Sequence, residues 1–195
     1  IREVTRLKEK YRGSIRILCG LEQDFYSPDY REKYDHIIGS VHYLKVGNDV
    51  PFAIDNTPDI LKENVLRYFS GDYIRAAEWY YDTVSHVVEK TDCTLIGHYD
   101  LITKYNEKYR LFDITDERYR KAWKKAADRL LLTGVPFEIN TGGMFRGWKS
   151  VTYPHPEILA YLKRNGASFV LSGDAHCRKA LMYRFDEAFQ MLDKL

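Results

Sequence analysis

Apolar residues recur at Ile1, Val4, Leu7 and Tyr11, the spacing of one helical face, and Gly13 follows as a stop signal. The pattern then changes. Ser14 to Leu21 is aliphatic and β-branched (Ile15, Ile17, Leu18) and predicts a strand ending at Glu22. A second strand is predicted within Tyr34 to Leu44, around His36-Ile37-Ile38, with His42 just beyond it. Helical periodicity covers Asn56 to Phe69, opened by Thr57-Pro58, and Asp72 to Lys90, which follows Ser70-Gly71. Thr94 to Ile96 predicts a short strand running into His98. Asp116 to Leu132 predicts a long helix with Thr115 as its N-cap and Gly134 after its end. Val135 to Asn140 reads as a strand entering a Gly142-Gly143 loop, and Pro156 to Arg164 as a helix closed by Asn165-Gly166. Ala167 to Leu171 is a strand leading to Asp174 and His176, and Phe185 to Leu195 a closing helix.

Short strands alternating with helices predict a parallel sheet with right-handed crossovers, an α/β fold. The polar residues that could carry chemistry stand at the C-terminal ends of these strands. An open doubly wound sheet and a barrel both build sites there. Candidates spread over at least four strands are gathered more easily by a barrel. No repeat, low-complexity tract or linker interrupts the pattern, so residues 1–195 are expected to form a single domain.

Charge nearly balances, with 30 Lys+Arg against 28 Asp+Glu, which argues against a nucleic-acid partner. The 16 tyrosines are scattered and do not sit beside basic runs. Cys19, Cys93 and Cys177 are too far apart for a disulfide framework and form no CxxC motif, so a cytoplasmic location is expected. No apolar run approaches the roughly 20 residues of a membrane-spanning helix, and no membrane partner is expected.

Four segments each deliver an acid or an imidazole: Gly20-Leu21-Glu22, Gly39-Ser40-Val41-His42, Gly97-His98-Tyr99-Asp100 and Ser172-Gly173-Asp174-Ala175-His176. Taken singly, His42 and His98 could each be a half-buried histidine capping a strand, and Glu22 a solvated acid. Asp174 and His176 are two apart on an extended segment and so face one side, where they could bind adjacent metal ions. Together the four segments fit a metal site assembled one or two ligands per strand end. His36, His86 and His155 lie outside this pattern and are expected to be structural, His86 on a helix face and His155 between two prolines.

The order and content of these motifs resemble the polymerase-and-histidinol-phosphatase (PHP) superfamily, in its histidinol-phosphatase branch. The resemblance is carried by Gly20-Leu21-Glu22, Ile37 to Leu44, Ile96 to Ile102, Phe137 to Thr141 and Leu171 to His176, and it runs from Ile1 to Leu195. It implies a distorted (β/α)7 TIM-like barrel, up to three divalent cations (Zn, Mn or Fe) and hydrolysis of a phosphate ester. The substrate it implies is L-histidinol phosphate, cleaved to histidinol and phosphate in histidine biosynthesis. Carried over residue by residue, Glu22, His42 and His98 would complete one metal position, Asp174 would serve a second and His176 a third. Asp174 and His176 would also be the catalytic pair. Arg146 in the Gly142–Gly147 loop and, after it, Lys104 would bind the substrate phosphate.

The family opens with a His-x-His strand that this sequence lacks. The expectation is therefore an N-terminally incomplete barrel holding one ion or none, with impaired activity and with open sheet edges available for self-association. Two other readings stand beside it. One is another PHP phosphoesterase, of the protein-tyrosine phosphatase or nuclease type; the other is a truncated, non-catalytic metal-binding remnant.

Overall fold

The computed structural model describes residues 1–30 and 33–195. In chain order the elements are α1 (Arg2–Lys10), β1 (Gly20–Asp24), β2 (His36–Ser40), β3 (Tyr43–Leu44), β4 (Phe52–Ala53), α2 (Pro58–Phe69), α3 (Tyr73–Val84) and α4 (Val87–Thr91). They continue with β5 (Leu95–Ile96), α5 (Asn106–Tyr109), α6 (Glu117–Leu131), β6 (Phe137–Asn140), α7 (Gly142–Phe145), α8 (Pro156–Arg164), β7 (Phe169–Ser172) and α9 (Phe185–Lys194).

Side chains at the helix starts fix where these helices begin. Thr57 Oγ1 accepts from the Ile60 N–H at 3.2 Å, and Pro58 gives up no needed donor in the first turn. The cap of α6 is Asp116 rather than Thr115; its carboxylate accepts from the N–H groups of Arg118 and Tyr119. Thr115 is drawn instead to Asp113, to which both its N–H and its hydroxyl donate at 2.8 Å. The helix predicted over Asp72 to Lys90 breaks at Ser85-His86, so His86 sits at a junction, paired with Glu89, and not on a helix face.

Five strands form one parallel sheet in the order β1-β2-β5-β6-β7. This is the α/β architecture of a distorted TIM-like barrel. The strand predicted over Ser14–Leu21 is shifted: β1 begins at Gly20, opposite His36, and continues to Asp24. Ladder bonds exist only where β2 runs alongside, so Ile15 and Leu18 stay outside the strand and exposed. The second predicted strand stops at Ser40, and Tyr43–Leu44 turn away to pair antiparallel with Phe52–Ala53. Among the described residues, β1 and β7 each have one neighbour in the sheet.

The interior strands β5 and β6 are buried at every residue, as expected for the centre of a parallel sheet. Helices α3 and α6 pack together over this layer, and much of the core is aromatic: Trp123, Tyr80, Tyr81, Tyr99, Tyr105 and Tyr153 are fully buried. Several of their hydroxyls find partners. Tyr81 and Tyr119 share a 2.9 Å hydrogen bond, Tyr99 donates to the Trp123 carbonyl at 2.5 Å, and Tyr80 donates to the Tyr99 carbonyl at 3.2 Å. Six of the 16 tyrosines, Tyr119 among them, thus serve the core.

Candidate metal centre

Strand β1 places Glu22 and Asp24, two residues apart, on the same side, while Gln23 turns the other way. His42 follows the end of β2 by two residues, and its backbone N–H is held by Asp24 Oδ2 at 2.7 Å. His98 follows the end of β5 by two residues, and its backbone N–H is held by the buried Glu138 Oε2 at 2.7 Å. The three side chains then converge. Glu22 Oε1 lies 3.0 Å from His98 Nε2 and 3.3 Å from His42 Nε2. The two imidazoles meet edge to face with centroids 4.8 Å apart.

Ligand atoms of Glu22, His42 and His98 all lie within 4.8 Å of one another, and no other such group of three occurs among the described residues. One carboxylate and two imidazoles suit a Zn-type cation, whose bonds of about 2.0–2.2 Å fit between donors at this spacing. Charge points the same way. Burial would raise the Glu22 carboxyl, but the His98 hydrogen bond and the nearby His98 and His42 charges hold it down at about 2. Burial would lower the His98 imidazole, but its bond to Glu22 and the negative charges of Glu138, Glu22 and Asp174 raise it to about 9. The cluster is negative enough to keep a proton on His98, and a divalent cation would replace that proton.

All seven residues singled out in the sequence line one cavity of about 290 Å³: Glu22, His42, His98, Lys104, Arg146, Asp174 and His176, joined by Asp55 and Leu101. Opposite the triad, Asp174 receives Arg146 Nη2 at 2.5 Å on its carboxylate and Arg146 Nη1 at 3.2 Å on its carbonyl. His176, largely exposed, sets Nε2 3.1 Å from Asp174 Oδ1. Lys104 reaches across to Asp55, at 2.7 Å from its carbonyl and 3.2 Å from its carboxylate. The Gly142-Gly143 segment is one turn of helix rather than a loop. A Cβ on Gly142 would meet Arg146 Nη2 at 2.7 Å and Asp174 Oδ2 at 2.9 Å, so the missing side chain is what lets this pair close. A larger cavity of about 480 Å³ opens between α5, α6 and α8, but it contains none of the triad.

No family model matches the chain. Two curated proteins named "Probable histidinol-phosphatase" do. That of Schizosaccharomyces pombe is 27% identical over 205 residues, covering 100% of this chain and 64% of the relative. That of Deinococcus radiodurans is 29% identical over 196 residues, covering 96% of this chain and 68% of the relative. A crystal structure from Listeria monocytogenes, provisionally named a histidinol phosphatase, superposes with a TM-score of 0.81 over 95% of this chain and 73% of that one, at 19% identity. These relatives agree in name, and together with the shared fold they support the resemblance to the histidinol-phosphatase branch of the PHP superfamily. The chain spans about two thirds of the length of the two curated relatives, and the Listeria structure shares its fold.

Against this PHP background the sequence left four supporting residues unread: Asp24, Asp55, Glu138 and Asn140. Three of them carried a usable signal. Glu22-x-Asp24 and Glu138-x-Asn140 repeat at the strand period of two, so each pair shares a face. Glu138 Oε2 accepts from both His98 N–H and Asn140 Nδ2, and Asn140 Oδ1 accepts from Gly142 N–H at 2.7 Å. Two buried side chains thus tie the His98 turn to the turn that bears Arg146. Asp55 carried no such signal, because the hairpin that brings it to the cavity follows no periodicity. The three histidines expected to be structural have ordinary partners: His36 bonds Thr94, His86 faces Glu89, and His155 caps α8 by accepting from the Glu157 N–H.

Proposed function

We propose that this chain forms the centre of a metal-dependent phosphomonoesterase that hydrolyses L-histidinol phosphate to histidinol and phosphate. The single observation that carries the reading is the convergence of Glu22, His42 and His98 with Arg146, Lys104, Asp174 and His176 on one cavity. Glu22, His42 and His98 would hold a divalent cation. Such a cation supplies Lewis-acid activation of water and of the phosphoryl group.

The other residues bind and orient. Arg146 has five N–H donors, two of them used by Asp174, so it can grip Asp174 and a phosphoryl oxygen together. Lys104, steadied by Asp55, adds a second cation at the wall of the same cavity. The Asp174 carboxylate orients His176 by accepting from Nε2–H, leaving Nδ1 to take a proton from the attacking water and pass it to the departing alcohol oxygen. Asp174 and His176 are also the residues proposed for any further cation in the site.

The test is a phosphate-release assay on zinc- or manganese-loaded protein with histidinol phosphate, phosphotyrosine and a single-stranded oligonucleotide as rival substrates. The reading expects the highest kcat/KM for histidinol phosphate and loss of turnover in Glu22→Gln and His98→Ala. Preference for either rival would replace the substrate assignment, and full activity in both variants would remove the metal centre.

A further inference from the structure

The orientation of His42 is imposed from β1. Asp24 is buried, and both of its carboxylate oxygens are engaged. Oδ1 accepts from the Tyr26 N–H at 2.8 Å. Oδ2 accepts from the His42 N–H at 2.7 Å and lies 3.4 Å from Nδ1 of the same residue. One carboxylate thus grips both the main chain and the ring of His42. Ser40 Oγ lies 3.3 Å from Nδ1, but it also faces the Gln23 carbonyl at 3.4 Å. An ionised carboxylate can only accept, so the Asp24 contact selects the tautomer that carries its proton on Nδ1. The other nitrogen, Nε2, is the one 3.3 Å from Glu22 Oε1. With His42 neutral, two acceptors would meet there, an arrangement that a cation between them satisfies.

We propose that Asp24 is a positioning residue, which fixes the His42 ring and its Nδ1–H tautomer so that Nε2 presents its lone pair to the cation position shared with Glu22 and His98. This rests on the metal-centre reading above. A purely structural role, in which Asp24 only staples the turn after β1 to the turn after β2, would use the two backbone N–H groups and leave the ring free.

Asp24→Asn removes the charge facing Nδ1 and leaves one oxygen acceptor, which can keep only one of the two backbone contacts, so the roles are told apart by zinc affinity and the His42 tautomer rather than by stability. Zinc affinity is measured by competition with a chromogenic chelator, and the His42 tautomer by long-range proton–nitrogen correlation spectra, assigned with His42→Gln. In wild-type protein the expected state is Nδ1–H with zinc on Nε2. Asp24→Asn should bind zinc about 10- to 100-fold more weakly, while Ser40→Ala stays within about threefold of wild type. The melting temperature of metal-free Asp24→Asn should fall by no more than the loss of one backbone hydrogen bond accounts for. Wild-type-like affinity in Asp24→Asn, zinc on Nδ1, or a larger loss in Ser40→Ala would overturn the proposal. Should Asp24→Asn fail to fold, the wild-type tautomer and Ser40→Ala decide. A wild-type chain that binds no zinc would sink the metal reading instead, and the His42 tautomer in the metal-free chain would still judge Asp24.

Discussion

At the scale of single residues, the centre is set by competition between burial and charge. His98 is buried, which alone would keep its imidazole neutral, yet Glu22, Glu138 and Asp174 raise it to about 9. Near pH 7.5 the metal-free chain therefore carries a proton on His98, and a cation must displace it. Calorimetric zinc titrations in two buffers of different ionisation enthalpy should report release of about one proton per ion at that pH. Affinity should rise roughly tenfold per pH unit below about 9 and level off above it. Binding without proton release would mean that His98 is neutral before the metal arrives. Glu22 runs the opposite way: held at about 2, it is ionised throughout this range and adds no pH dependence. The candidate triad was legible in the sequence, because Glu22, His42 and His98 belong to short motifs at strand ends, as do Asp174 and His176 on the other side of the cavity. Asp24 and Glu138 were not singled out: the strand period puts each on a face with another polar residue, but only the structure shows that they hold the His42 and His98 backbone.

At the scale of elements, the alternation of strands and helices was readable because each helix carries one apolar face and each strand a short aliphatic run. The errors have local causes. The β3–β4 hairpin uses two-residue strands, too short for any period, and β1 took its limits from its partner β2 rather than from its own composition. Asp116 displaced Thr115 as a cap because Asp113 engages Thr115 first. The most consequential correction is α7, the single turn that carries Arg146 toward Asp174. In metal-loaded protein, Arg146→Ala should lose a charge-assisted phosphate contact of about 1.5–3 kcal/mol, roughly 10- to 150-fold in kcat/KM. Gly142→Ala should reproduce part of that loss without touching Arg146, since its methyl group would push the guanidinium off Asp174. Steady-state kinetics on both variants check this, and unchanged kinetics in Arg146→Ala would remove it from the phosphate site.

For the whole molecule, the parallel sheet decides where chemistry can occur. All five strands run the same way, so their C-terminal ends meet at one rim, and residues as distant in sequence as Glu22 and His176 line one cavity. The layer beneath holds that rim through tyrosine hydroxyls and Trp123, which is fully buried and whose carbonyl accepts from Tyr99. Trp123→Ala should destabilise the fold by roughly 3–5 kcal/mol in urea unfolding, with the cost falling on the whole domain. A loss below about 1 kcal/mol would place Trp123 outside the cooperative core. The class of fold was legible, since alternation alone calls for a parallel sheet. That Tyr80, Tyr81, Tyr99, Tyr105, Tyr119 and Tyr153 are core residues was not, because scattered aromatic positions reveal their partners only once α3 and α6 are packed together. The 27–29% identity to two curated relatives and the shared fold with a solved structure support the PHP resemblance, and the triad gives that resemblance a chemical content. X-ray absorption at the zinc edge, on protein loaded with one equivalent, tests the triad most directly. The account predicts a four-coordinate nitrogen–oxygen shell at about 2.0–2.1 Å containing two imidazoles, one of which disappears in His98→Ala. A shell without imidazole, or one unchanged in His98→Ala, would contradict it.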